Sequence, residues 1–161
     1  MYKRQVHTLR ANQLVARALA TNRLPGVRGY TRVQPEIKAM PGSRLDFGLG
    51  GHPSDPRPAW LEVKSVTLAR DDTARFPDSV TARGRRHLET LAGLCARGHR
   101  AILLFVVQRG DCRRVECAEE IDPAYAQALR DAAAQGVEIR AVRARVRSRE
   151  ILLEKTLPFV V

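Results

Sequence analysis

Seven consecutive apolar residues, Ala101-Ile-Leu-Leu-Phe-Val-Val107, stand between Arg100 and Gln108-Arg109. A strand with one wet face alternates apolar and polar residues, so an unbroken run of this kind belongs to a strand buried on both faces. It must sit mid-sheet, with cover on each side. The run is far too short to cross a bilayer. The charged start Met1-Tyr-Lys-Arg-Gln5 has no apolar h-region behind it, so no membrane partner is expected.

The rest of the chain supplies that cover. Asn12, read as an N-cap, precedes Leu14, Val15, Ala18 and Leu19 at helical spacing, and Pro25-Gly26 ends the run. Three strands are expected around Thr31–Lys38, Ser43–Leu49 and Ala59–Val66, an antiparallel meander broken by Pro41-Gly42 and by the Gly50–Pro58 turn cluster. Pro77-Asp-Ser79 precedes Val80, Leu88, Leu91 and Leu94 in a segment closed by Gly98, which predicts a second helix of about five turns. Asp122-Pro123 and Gly136 bracket a third helix. Val137–Val146 alternates, and Ile151–Leu153 follows, which adds one or two strands. The pattern is α/β, a central mixed sheet flanked by helices, and 161 residues are enough for one core.

A formal net charge of +11 attracts polyanions, nucleic acid first among them. All but four of the 28 basic residues are arginine, a skew that a coding bias also produces, so charge alone leaves both readings open. Cys95, Cys112 and Cys117 form no C-x-x-C pair; neither a disulfide framework nor a zinc ribbon is indicated, and free thiols suit a reducing cytoplasm.

Chemistry enters at Leu61-Glu-Val-Lys64. On a strand Glu62 and Lys64 project from one face, and antiparallel pairing across Gly50–Pro58 brings Asp46 of the preceding strand alongside Glu62. Two carboxylates held close repel unless a cation or proton lies between them, and hard oxygen donors suit Mg2+ or Mn2+ rather than zinc. A metal of that kind with a nearby lysine is suited to phosphodiester hydrolysis. The alternative is an exposed strand face carrying an ordinary ion pair.

Three blocks in order, Ser43-Arg-Leu-Asp-Phe47, Leu61-Glu-Val-Lys-Ser-Val-Thr-Leu68 and Phe76-Pro-Asp-Ser-Val-Thr-Ala-Arg-Gly-Arg-Arg-His-Leu88, closely resemble the sugar fermentation stimulation protein A family. The resemblance continues through Val6–Leu14, Arg100–Phe105, Ile121–Ala126, Gly136–Glu138 and Leu157-Pro158. It implies a PD-(D/E)XK, restriction-endonuclease-like core in which Asp46 matches the first acidic position and Glu62 and Lys64 match the E-x-K. Mg2+ or Mn2+ is then expected at Asp46, Glu62 and Val63, with Glu36 and Ser65 as supporting positions. Leu45 stands where the superfamily motif has proline. Family members carry a further N-terminal domain resembling an OB-fold; the nuclease-like domain is expected over 6–161, with residues 1–5 unmatched and the OB-like part absent.

What the resemblance implies is a DNA-binding protein with a metal-dependent nuclease site, or alternatively a non-catalytic DNA-binding regulator of sugar (maltose) metabolism genes. DNA is the expected partner, read with little sequence preference, and a homodimer is compatible. Arg44, Asp78, Thr81, Arg83 and His87 are the candidate DNA contacts, with the helix-capping role of Asp78 or Thr81 as the plainer reading. Arg140, Arg143, Arg145, Arg147 and Arg149 are read first as solubilising strand residues and second as a phosphate track. His7, His52 and His99 have no metal spacing, and Trp60, Phe47 and Phe76 are read as core.

Overall fold

The apolar run becomes the middle of the molecule. The structure, a computed structural model, describes residues 8–146 and 151–160. In chain order it contains α1 (Thr8–Ala20), β1 (Arg32–Met40), β2 (Ser43–Gly50), β3 (Ala59–Val66), β4 (Leu68–Arg70), β5 (Thr73–Phe76), α2 (Ala82–Ala96), β6 (Arg100–Val107), β7 (Arg114–Cys117), α3 (Pro123–Ala134), β8 (Glu138–Val146), β9 (Ile151–Leu157) and β10 (Phe159–Val160).

The large sheet has the order β1-β2-β3-β6-β8-β9. Its β1-β2-β3 part is the antiparallel meander; β3, β6 and β8 run parallel, and β9 returns antiparallel. The sheet is therefore mixed, and β6 lies at its centre. Residues Ala101–Val107 are each at most 1% exposed, because alternate side chains enter different layers. Ile102, Leu104 and Val106 pack with Val15 and Leu19 of α1; Leu103, Phe105 and Val107 pack with Leu88 and Leu91 of α2 and Leu129 of α3.

A second sheet, β10-β7-β5-β4, has no counterpart in the sequence reading. Its strands are two to four residues long, too brief to show a period, and charged residues interrupt them. It joins the large sheet through aromatic rings: Phe105 stacks on Phe159 at 4.7 Å between centroids and meets Phe76 at 5.3 Å.

Two helix starts differ from expectation. Helix α1 begins at Thr8, so Asn12 lies within it rather than capping it; its amide is drawn to a carboxylate on the sheet. Helix α2 begins at Ala82 and has 15 residues, because the Thr81 hydroxyl accepts the Gly84 N–H and caps it there. Asp78 and Val80 precede the helix, with Val80 69% exposed. Gly84 lets α2 approach α3, since a Cβ there would meet the Tyr125 ring at 3.0 Å.

Asp122 ties the two helices together. Only 1% exposed, its carboxylate accepts the Tyr125 N–H at 2.9 Å, as the N-cap of α3, and the Thr81 N–H at 2.8 Å. Asp122→Ala removes a cap and strands a second amide, so unfolding stability is expected to fall by about 2–3 kcal/mol. Urea titration of both proteins checks this; a loss below about 0.5 kcal/mol, typical of a surface change, would show that the latch is unimportant.

Candidate active site

The β2–β3 ladder pairs Phe47 with Leu61, Gly48 with Trp60 and Leu49 with Ala59. One more step in that register sets Asp46 across from Glu62, but the recorded ladder ends before it and the Val63 N–H donates to Asp46 Oδ2 at 2.7 Å. A side-chain carboxylate thus takes an amide that continued pairing would give to a backbone carbonyl. The second oxygen, Oδ1, accepts the Asn12 side-chain amide at 2.7 Å, so α1 and β3 together fix the orientation of Asp46.

On β3 the same-face geometry holds. Lys64 Nζ lies 2.7 Å from Glu62 Oε1, and His87 of α2 places Nδ1 against the same oxygen and 3.1 Å from Lys64 Nζ. Glu62 is 3% exposed and His87 7% exposed. His87 therefore turns inward onto the carboxylate rather than outward to a ligand. Among the described residues the hydrogen bonds of Glu62 fall on Oε1, which leaves Oε2 open.

The two carboxyls respond to opposite surroundings. Burial raises Asp46 above its ordinary 3.8, and the Glu62 charge raises it further, against the opposing pull of the Val63 amide and Asn12. Burial also raises Glu62, but the His87 hydrogen bond and Lys64 outweigh it and hold Glu62 below its ordinary 4.5. The stability tied to Asp46 is therefore fully present below 3.8 and lost as pH rises through its raised pKa, whereas that tied to Glu62 is present above 4.5 and lost as pH falls through its lowered one.

These residues open onto a cavity of about 390 Å³ lined by Asn12, Asp46, Glu62, Val63, Lys64, Ser65, Phe76, Arg83 and His87. Ser65 accepts a 2.8 Å hydrogen bond from Gln108. Asp46, Glu62, Lys64, Val63, Ser65, Arg83 and His87 are thus brought together as the sequence suggested. Glu36 is not: it sits opposite Asp46 on β1, but at φ 49 and exposed, and it does not line the cavity. Arg44 lines an adjoining groove. Asp78 is exposed ahead of α2, and Thr81 serves as its cap.

Of the late arginines, Arg140 and Arg145 pair with Glu138 and Glu154, and Arg143 reaches the carbonyls of Gly110 and Cys112; Arg147 and Arg149 lie outside the described residues, as does His7. His52 caps its own turn by accepting the Ser54 and Asp55 amides. The cysteines are free, and burial pushes Cys117 up to about 11.

Asn12 was missed as a site residue because a polar residue ahead of an apolar helical run reads as a cap. Its effect can be measured. Asn12→Leu removes a hydrogen bond to the charged carboxylate, so the Asp46 pKa is expected to rise further, read by carbon-detected NMR titration. An unchanged titration would mean that the amide does not act on Asp46.

Residues 9–150 match the family described as "Sugar fermentation stimulation protein RE domain". The chain belongs to this family. The SfsA relatives include a sugar fermentation stimulation protein homolog of Halorhodospira halophila, 52% identical over 140 residues, covering 86% of this chain and 58% of the relative. Another, from Pseudoalteromonas atlantica, is 41% identical over 157 residues, covering 97% of this chain and 66% of the relative. Among solved structures, SfsA of Pyrococcus furiosus in complex with Ca2+ superposes with a TM-score of 0.87 at 27% identity, over 97% of this chain and 66% of that one. The chain spans 56 to 66% of the length of these curated SfsA relatives. Among the described residues no helix is long and apolar enough to cross a membrane.

Proposed function

We propose that this chain carries a divalent-metal-dependent DNA-hydrolysing centre of the PD-(D/E)XK type, built on Asp46, Glu62 and Lys64. The observation that carries the reading is the convergence of Asp46 and Glu62 on one cavity where their charges oppose each other. Among the described residues no group of three or more His, Cys, Asp or Glu side chains gathers to hold a metal. Two carboxylates are nonetheless what Mg2+ commonly takes from a protein, with water and substrate phosphate completing its shell. Asp46, Glu62 Oε2 and the only polar group Val63 has left, its backbone carbonyl, fit that donor chemistry. The relative from Pyrococcus furiosus was solved with Ca2+, a hard cation with the same preference for oxygen.

When bound, such a cation supplies an acidified water and positive charge near a phosphodiester. The residues of the chain do the rest. Asn12 and the Val63 amide hold Asp46 in place; His87 and Lys64 keep Glu62 ionised. Lys64 Nζ stands where it can orient the attacking water or donate to a phosphate oxygen, and Arg83 presents a guanidinium to the same cavity. DNA as substrate follows from the +11 charge and from phosphate contacts that require no base reading.

The test is cleavage of end-labelled single-stranded, duplex and branched DNA with Mg2+ and with chelator. Metal-dependent fragments from at least one form support the reading. DNA binding without fragments in Mg2+ or Mn2+ favours the non-catalytic regulator.

A further inference from the structure

A second and larger depression, about 860 Å³, adjoins the candidate site and shares Arg83 and His87 with it. Its cations come from three elements: Lys38 on β1, Arg44 on β2, and Arg83 and Arg86 on α2. Arg83 and Arg86 are three apart and share a helix face. Glu89 is the one carboxylate on the lining. Ion pairs engage Arg75, Arg100, Arg130 and Arg140 elsewhere, whereas among the described residues no hydrogen bond or ion pair is recorded for these four cations. Like charges gathered without partners are costly unless an anion joins them.

The walls are fixed to one another. The Thr90 hydroxyl donates to the Arg86 carbonyl at 2.9 Å, so the 2.9 Å contact between Ser43 and Thr90 has Ser43 as donor. That bond pins the start of β2 to α2. Because the Thr81 cap and the inward His87 hold α2 against β3, Arg83 is set at the junction of groove and cavity.

We infer that this groove holds the unpaired DNA strand that flanks the scissile phosphodiester, its phosphates passing from Lys38, Arg44 and Arg86 to Arg83 and then into the cavity. The inference rests on the nuclease reading and adds a substrate class: DNA with a single-stranded tail or flap beside the cleaved bond. The depression is of the size that encloses small ligands, roughly 300–1,000 Å³, and so accommodates a few nucleotides of one strand. A blunt duplex lies across its mouth and leaves its cations unused.

The test is fluorescence-anisotropy binding by the full chain, with Ca2+ replacing Mg2+, to a blunt duplex and to the same duplex with a short unpaired tail. The parent is expected to bind the tailed form roughly tenfold tighter, with a steeper salt dependence. Lys38→Ala/Arg86→Ala should abolish that preference and lower the salt slope on tailed DNA by about two. Arg57→Ala/Arg97→Ala, which removes the same charge beyond the far ends of β3 and α2, should keep both. Equal binding of the two DNAs by the parent, or equal effects of the two variant pairs, overturns the groove assignment while leaving the nuclease reading intact. Failure to bind or cleave any DNA overturns the nuclease reading and the groove with it.

Discussion

Glu62→Gln is expected to lower the rate of metal-dependent cleavage by a factor of about 10³ or more, roughly 4 kcal/mol of transition-state stabilisation. The change is nearly isosteric. It keeps an acceptor for Lys64 and His87, which both act on Oε1, and removes only the charge that opposes Asp46. DNA affinity should hold or increase slightly, since one negative charge is gone from a cavity that meets phosphate. Rapid-quench kinetics with saturating DNA reads the first effect, and anisotropy on the same samples reads the second. A variant that cleaves within a factor of about three of the parent would show that Glu62 is structural.

Phe105→Ala is the largest stability change the fold predicts. The ring is fully buried at the centre of β6 and touches Phe76 and Phe159, the two contacts through which the small sheet rests on the large one. Removing it leaves a cavity at that joint, at a cost of about 3–5 kcal/mol. For a chain of this length that is a drop in Tm of roughly 10–15 °C. Val80→Ala, at a site 69% exposed, should stay within about 0.5 kcal/mol of the parent. Calorimetry on the three proteins checks both. Equal melting temperatures for the Phe105 and Val80 variants would mean that the two sheets are not held together by these rings.

These two residues also mark what the sequence could and could not disclose. Phe105 lies in an unbroken apolar run, a local signal that forces a central strand and, through it, cover on both faces; the α/β class and the place of β6 follow from that alone. Glu62 and Lys64 were legible because period two on a strand puts them on one side, and the register needed to bring Asp46 across is set by the short connection between β2 and β3.

The small sheet was not legible because its strands are held by pairing with distant segments, β7 with β5 and β10 with β7, and carry little period of their own. The role of Asn12 was hidden for a related reason. Its partner Asp46 is 34 residues away, while the local pattern offers a complete explanation as a cap. His87 was placed near the site but with the wrong orientation: the start of α2 at Thr81, rather than near Asp78, turns it inward onto Glu62.

The central claim is that Asp46 and Glu62 form one cation site, and Mn2+ titration followed by electron paramagnetic resonance tests it most directly. The parent should bind one Mn2+ that Mg2+ displaces, and Asp46→Asn and Glu62→Gln should each weaken that site by at least tenfold while remaining folded by circular dichroism. A parent that binds no Mn2+, or variants that bind it as tightly as the parent, would contradict the claim.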